Sequence, residues 1–139
     1  MPFLINMGHL YEQFVAAWLA DHLPPTHRLR TQERVEIDGQ HGRQIAIDLV
    51  LYNRAGKATA VLDTKYKTPE RPDMADIYQV SFYAHQQHCA TAYLVYPADL
   101  PEPIVGRNRN VTYQNLTFAL DGDIKANGRA FIEQVLADG

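Results

Sequence analysis

Two apolar-rich segments separated by a short polar turn constrain this chain more than anything else in it. Residues 44–52 (QIAIDLVLY) and 58–66 (ATAVLDTKY) alternate and are rich in Ile, Leu and Val, and Asn53, Arg54, Ala55, Gly56 and Lys57 stand between them. That is the pattern of a β-hairpin. With the turn centred near Ala55 or Gly56, antiparallel partners have residue numbers summing to about 110 or 111. Asp48 then lies opposite Leu62 or Asp63. Because side chains alternate along a strand, Asp63, Lys65 and Lys67 share a face, and Asp48, Val50 and Tyr52 share one on the neighbour. Ile45, Ile47, Leu49 and Leu51, with Ala60 and Leu62, are expected on the opposite, core-facing side. A one-residue slip would bury charge under that core, so the pattern itself brings the two aspartates together.

Upstream, Met7, Leu10, Tyr11, Phe14, Val15, Trp18 and Leu19 recur at helical spacing and predict a helix over residues 7–22, ended by Pro24 and Pro25. A loop, a short strand over 34–38 and a turn from Gly39 to Gly42 follow. Downstream, Asp73 is a predicted N-cap, with Asp76 three residues on, for a helix over 74–88 whose apolar side includes Ile77, Val80, Tyr83 and Ala84. Residues 90–96 read as a buried strand stopped by Pro97, and strand, helix, strand implies parallel pairing. A Pro-rich loop over 97–109, a strand over 111–119 and a terminal helix over 126–137 complete the expectation. The fold class is α/β, a mixed central sheet flanked by helices in α-β-β-β-α-β order.

At 139 residues the chain is expected to form one domain, because two cores would each be marginal in size. Its net charge of -3, from 13 basic and 16 acidic residues, gives no basic field. Any grip on nucleic acid must be local, or supplied by another domain or subunit. The single cysteine, Cys89, excludes an internal disulfide and a Cys-rich zinc site and suits a reducing compartment, so a cytoplasmic location is expected. The six histidines have no zinc-site spacing. Residues 1–7 lack an export-signal pattern, and no run approaches the ~20 apolar residues that span a bilayer, so no membrane association is expected.

Two carboxylates at adjacent cross-strand positions repel, at a cost on the order of 0.2–1 kcal/mol. A hard divalent cation offsets that repulsion, and magnesium takes one or two carboxylates plus water and phosphate oxygens. Lys65 points into the same site, where an ammonium orients an attacking water or stabilises charge on a transferring phosphoryl group. Together these parts meet the needs of phosphodiester hydrolysis. The plain alternative is a salt-bridged surface in which Asp48 and Asp63 pair with Lys65 and Lys67 and do nothing further.

The run Ile45-Ala46-Ile47-Asp48, followed by Leu62-Asp63-Thr64-Lys65-Tyr66-Lys67, resembles the PD-(D/E)XK nuclease superfamily, and within it the nuclease domain of the McrC family, with its "DTKYK" strand and "DxYQ" helix. Here that helix reads Asp76-Ile77-Tyr78-Gln79, and Gln79 with Tyr83 resembles the Gln-xxx-Tyr motif of RecB-type nucleases. Gly8 to Phe14 is similar to the family's first-helix "FE" element. The likeness spans about residues 7–97. Position 47 holds Ile where the superfamily name has Pro. McrC-like proteins also carry an N-terminal region that engages a motor subunit, and no counterpart is read in this sequence.

The resemblance implies Asp48, Asp63, Lys65, Glu12 and Gln79 as the catalytic set, with Asp48, Asp63 and Glu12 as ligands of magnesium, for which manganese substitutes. Tyr83, Lys67 and Tyr66 are the implied substrate contacts. The expected activity is a metal-dependent DNA endonuclease in a restriction or defence system, with DNA, an AAA+ GTPase motor subunit or a separate DNA-recognition domain, and a second copy of the chain as partners. The alternatives are a non-catalytic module of the same fold that binds a protein, and a nuclease acting on RNA or single strands.

Overall fold

The computed structural model describes residues 6–38 and 43–137. A six-stranded mixed sheet runs through it in the order β1-β2-β3-β4-β6-β5. Its strands are β1 (His27–Asp38), β2 (Arg43–Asn53), β3 (Ala58–Thr64), β4 (Thr91–Tyr96), β5 (Val105–Asn108) and β6 (Val111–Thr117). Helices α1 (Met7–His22), α2 (Met74–Gln86) and α3 (Ile124–Ala137) flank it. The α/β expectation and the α-β-β-β-α-β order hold.

The hairpin forms in the expected register. Leu49 pairs with Leu62, Val50 with Val61 and Leu51 with Ala60, all summing to 111, before a shift by one at Tyr52 and Ala58. The turn closes because Gly56 takes φ 80°, open to glycine without a Cβ penalty, while the Asn53 side chain accepts from the Lys57 amide at 3.0 Å. β3 and β4 pair in parallel across α2, the predicted crossover, and β4 pairs in parallel with β6. Asp73 caps α2 by accepting from the Ala75 amide at 2.9 Å. The helix stops at Gln86, short of 88, where His88 turns left-handed at φ 53°.

The hairpin is buried on both faces, which corrects the expected single core-facing side. Leu49, Leu51, Ala60 and Leu62 pack with Tyr11, Val15, Leu19, Phe118, Phe131 and Val135 under α1 and α3. Val50 and Val61 join Ile77, Val80 and Ala84 under α2, and Ile47 joins them rather than Leu49. A sheet covered by helices on both sides needs apolar residues at successive positions, so strict alternation breaks down. The switch at Ile47 coincides with an irregularity in β1. Thr31 pairs with Leu49 and Glu33 with Ile47, while Gln32, left-handed at φ 51°, faces Asp48 without entering the ladder. Such distortions re-aim side chains.

Other boundaries also move. β1 begins at His27, far earlier than residue 34, because an edge strand exposed at Arg28, Arg30 and Arg34 carries little apolar signal. The turn expected at residues 39–42 lies outside the described residues. β3 ends at Thr64 rather than 66, with the Lys65 amide donating to Val95 O at 2.8 Å just beyond it. The segment expected as loop over 97–109 contains β5, antiparallel to β6. β6 stops at Thr117, and α3 starts two residues early at Ile124. Among the described residues, no helix is long and apolar enough to cross a membrane.

Candidate functional site

One step past the Leu49 and Leu62 pair, the register sets Asp48 opposite Asp63. Their carboxyl groups lie within hydrogen-bonding reach of each other. Asp63 is 4% exposed. Burial, and next the neighbouring Asp48, push its carboxyl up to about 7, against the opposing pull of Lys65. Burial also raises Asp48, with Glu12 adding to the rise and Asp63 and Gln32 opposing it. Below about pH 7 the two acids therefore share a proton, held more strongly at Asp63.

Lys65 extends from the end of β3 beside this pair. Its Nζ is 3.1 Å from Asp63 Oδ2 and 3.5 Å from Asp76 Oδ1, and it donates to Gln79 Oε1 at 3.1 Å. Asp63 Oδ2 is buried, and the ammonium beside it pulls the Asp63 carboxyl down against the rise from burial. Three acceptors thus surround an ammonium that has three hydrogens. Gln79 in turn donates to the Tyr83 hydroxyl at 3.0 Å, so residues one helical turn apart on α2 form a relay back to the hairpin. Lys67 does not reach Asp63. It pairs with Asp76 at 2.7 Å and Asp73 at 3.2 Å, which places it at the N-terminal end of α2.

Glu12 comes to the same centre from α1. Gln32 Nε2 donates to Glu12 Oε1 at 3.2 Å and to Asp48 Oδ1 at 3.3 Å, so one amide spans the two carboxylates. His9 Nδ1 is 3.7 Å from the other Glu12 oxygen. A cleft of about 240 Å³ opens here, lined by His9, Glu12, Thr31, Gln32 and Asp48. Tyr66 goes elsewhere: its ring, 44% exposed, contacts Tyr11 at 5.8 Å and borders a separate cleft with Pro97, Asp99 and Asp121.

A family model described as McrBC 5-methylcytosine restriction system component matches residues 1–97, the stretch that carries α1, the hairpin, Lys65 and α2. The chain belongs to that family. Comparison with the curated proteins gives no match. Among solved structures, the refined half-complex from the tetradecameric assembly of Thermococcus gammatolerans McrB AAA+ hexamers with bound McrC contains a chain of the same fold, with a TM-score of 0.74 over 96% of this chain at 14% identity. This chain spans 34% of the length of that one.

Within this McrBC-family chain the structure brings Asp48, Asp63, Lys65, Gln79, Tyr83 and Glu12 into one connected group. Lys67 sits at its margin and Tyr66 outside it. Gln32 and Asp76 join this group without having been expected in it. Asp76 carries a signal, a charged residue at a helix position that is buried in the fold, where it is 8% exposed. Gln32 carries none, since its importance comes from a backbone irregularity that only the paired strands display.

The donor set suits a hard divalent cation: Asp48 and Asp63 supply adjacent carboxylates and Glu12 a third near Asp48, with the Lys65 ammonium 3.1 Å from Asp63 Oδ2. Among the described residues, no group of three or more His, Cys, Asp or Glu side chains is placed to hold a metal ion together. Magnesium sites are built differently, keeping several waters and binding through one or two carboxylates.

Proposed function

We propose that this chain is a nuclease domain of the PD-(D/E)XK type that hydrolyses DNA phosphodiester bonds with magnesium, or manganese in its place, as part of a restriction system. The observation that carries this reading is the Asp48 and Asp63 pair with the Lys65 ammonium 3.1 Å from Asp63. Asp48 and Asp63 hold the cation, with Glu12 as the third carboxylate. When bound, the cation supplies a nucleophile at neutral pH and offsets phosphate charge. Lys65, fixed by Asp76 and Gln79, presents its ammonium to the scissile phosphate and stabilises charge that develops there. Gln79 and Tyr83 keep that lysine in place and offer an amide and a phenol to the DNA backbone. Lys67 adds a positive charge at the margin.

The net charge of -3 leaves strand capture to other parts of an assembly. We propose an AAA+ motor subunit as that partner, by analogy with the assembly of McrB hexamers with bound McrC. Incubation with plasmid and magnesium, alone and with a motor subunit, tests the activity. Wild type is expected to cut and Asp63→Ala to lose about 10²–10³-fold or more of the rate; equal cutting by both rejects the assignment. The acidic balance also favours a second reading, a protein-binding module without catalysis. Absence of both cation binding and cleavage selects it.

A further inference from the structure

Gln32 is a non-glycine residue at φ 51° in the middle of a twelve-residue strand. An L side chain in that region costs free energy that an ordinary edge strand avoids by staying extended. The pairs on either side keep one register, so the irregularity does not correct a slip. What it achieves is local. Gln32 faces Asp48, and its amide lies between Glu12 Oε1 at 3.2 Å and Asp48 Oδ1 at 3.3 Å. Glu12 belongs to a helix and Asp48 to a strand; their carboxyl groups lie within hydrogen-bonding reach of each other, and this amide donates to both. Two like charges so placed repel unless a donor or cation stands between them.

We propose that Gln32 is a positioning residue: its left-handed backbone aims the side-chain amide so that Glu12 is held against Asp48, completing the carboxylate group that takes the divalent cation. This rests on the reading of Glu12, Asp48 and Asp63 as cation ligands. Outer partners that orient metal ligands are worth about 10–100-fold in affinity. No substrate contact is assigned to Gln32.

Two isolating variants separate the amide from the backbone. Gln32→Glu keeps the size and removes the donor, and Gln32→Gly relieves the left-handed strain and removes the donor as well. Titration calorimetry with manganese on the whole chain is expected to show Gln32→Gly binding about 10-fold more weakly than wild type or worse, while melting no lower than wild type in chelator; Gln32→Glu, which adds a carboxylate that a cation attracts, is read in chelator alone. Retained affinity in Gln32→Gly overturns the proposal, because the residue would then serve the backbone alone. A metal-free arm keeps the test independent of the nuclease reading. In chelator, the melting-temperature loss of Gln32→Glu is expected to be largely recovered in the double variant with Glu12→Gln; additive losses overturn the proposal. If wild type binds no manganese, the cation reading fails, and the chelator arm alone decides whether Gln32 holds Glu12.

Discussion

Asp63 faces Asp48 across the β2–β3 hairpin, and the carboxyl of Asp63 is held at about 7 by burial and by that neighbour. A carboxyl raised above its unfolded value binds its proton more tightly in the fold, so ionising it works against folding. The fold therefore tolerates a destabilised pair at a position where two apolar residues would pack without cost.

The first consequence is a pH dependence. Because the folded value lies above the ordinary 3.8, the group leaves stability untouched below about pH 4 and subtracts from it progressively up to about pH 7. Asp63→Asn removes this penalty. In chelator, denaturant titrations are expected to show the variant gaining on wild type as pH rises through that window, to a difference on the order of 2–4 kcal/mol at pH 7.5. A constant difference from pH 4 to 8 contradicts the burial argument.

Lys65 is held by Asp63, Asp76 and Gln79, so its removal touches charge stabilisation more than packing. Lys65→Met is expected to lower the cleavage rate by about 10²–10³-fold and, because it leaves the buried Asp63 and Asp76 without that ammonium, to lower the melting temperature as well. Substrate affinity, measured by fluorescence anisotropy in calcium, is expected to change little.

Asp76 links the two lysines from inside the first turn of α2. Asp76→Ala leaves Lys65 and Lys67 without that partner and is expected to cost about 1–3 kcal/mol in unfolding free energy. A loss in cleavage rate should accompany it, and Asp76→Glu should restore part of both.

The α1–α3 contact depends on a glycine. A Cβ at Gly128 would run into Cε2 of the Trp18 indole, which is itself stacked on His22 at 3.7 Å and packed against Phe118 at 5.5 Å between ring centroids. Gly128→Ala is therefore expected to destabilise the fold by about 1–3 kcal/mol despite the higher helix propensity of alanine. Thermal unfolding checks this, and pairing the change with Trp18→Leu should recover part of the loss.

Much of this was legible in the sequence because the hairpin has two independent markers, a polar turn with Gly56 and an apolar register that permits one pairing. Helix α2 was legible for a similar reason, a cap at Asp73 followed by a 3.6-residue apolar period. The first part of β1, before residue 34, and all of β5 were not, since both are edge strands with many exposed side chains, Val105 being 76% exposed. Their strand character shows only in the hydrogen bonds that each makes with the strand that follows it in the chain. The face switch at Ile47 and the role of Gln32 share that character. Both coincide with one residue at φ 51° that stands out only when β1 lies against β2.

Direct titration of manganese into the intact chain, with Asp48→Asn and Asp63→Asn alongside, tests the central claim most sharply. Cation binding at the pair should displace the proton at Asp63. Wild type is thus expected to bind with proton release that grows as pH falls from 8 to 6, visible as a dependence of the heat on the buffer's ionisation enthalpy, and each variant is expected to lose binding. Binding of equal strength in all three proteins would contradict the account.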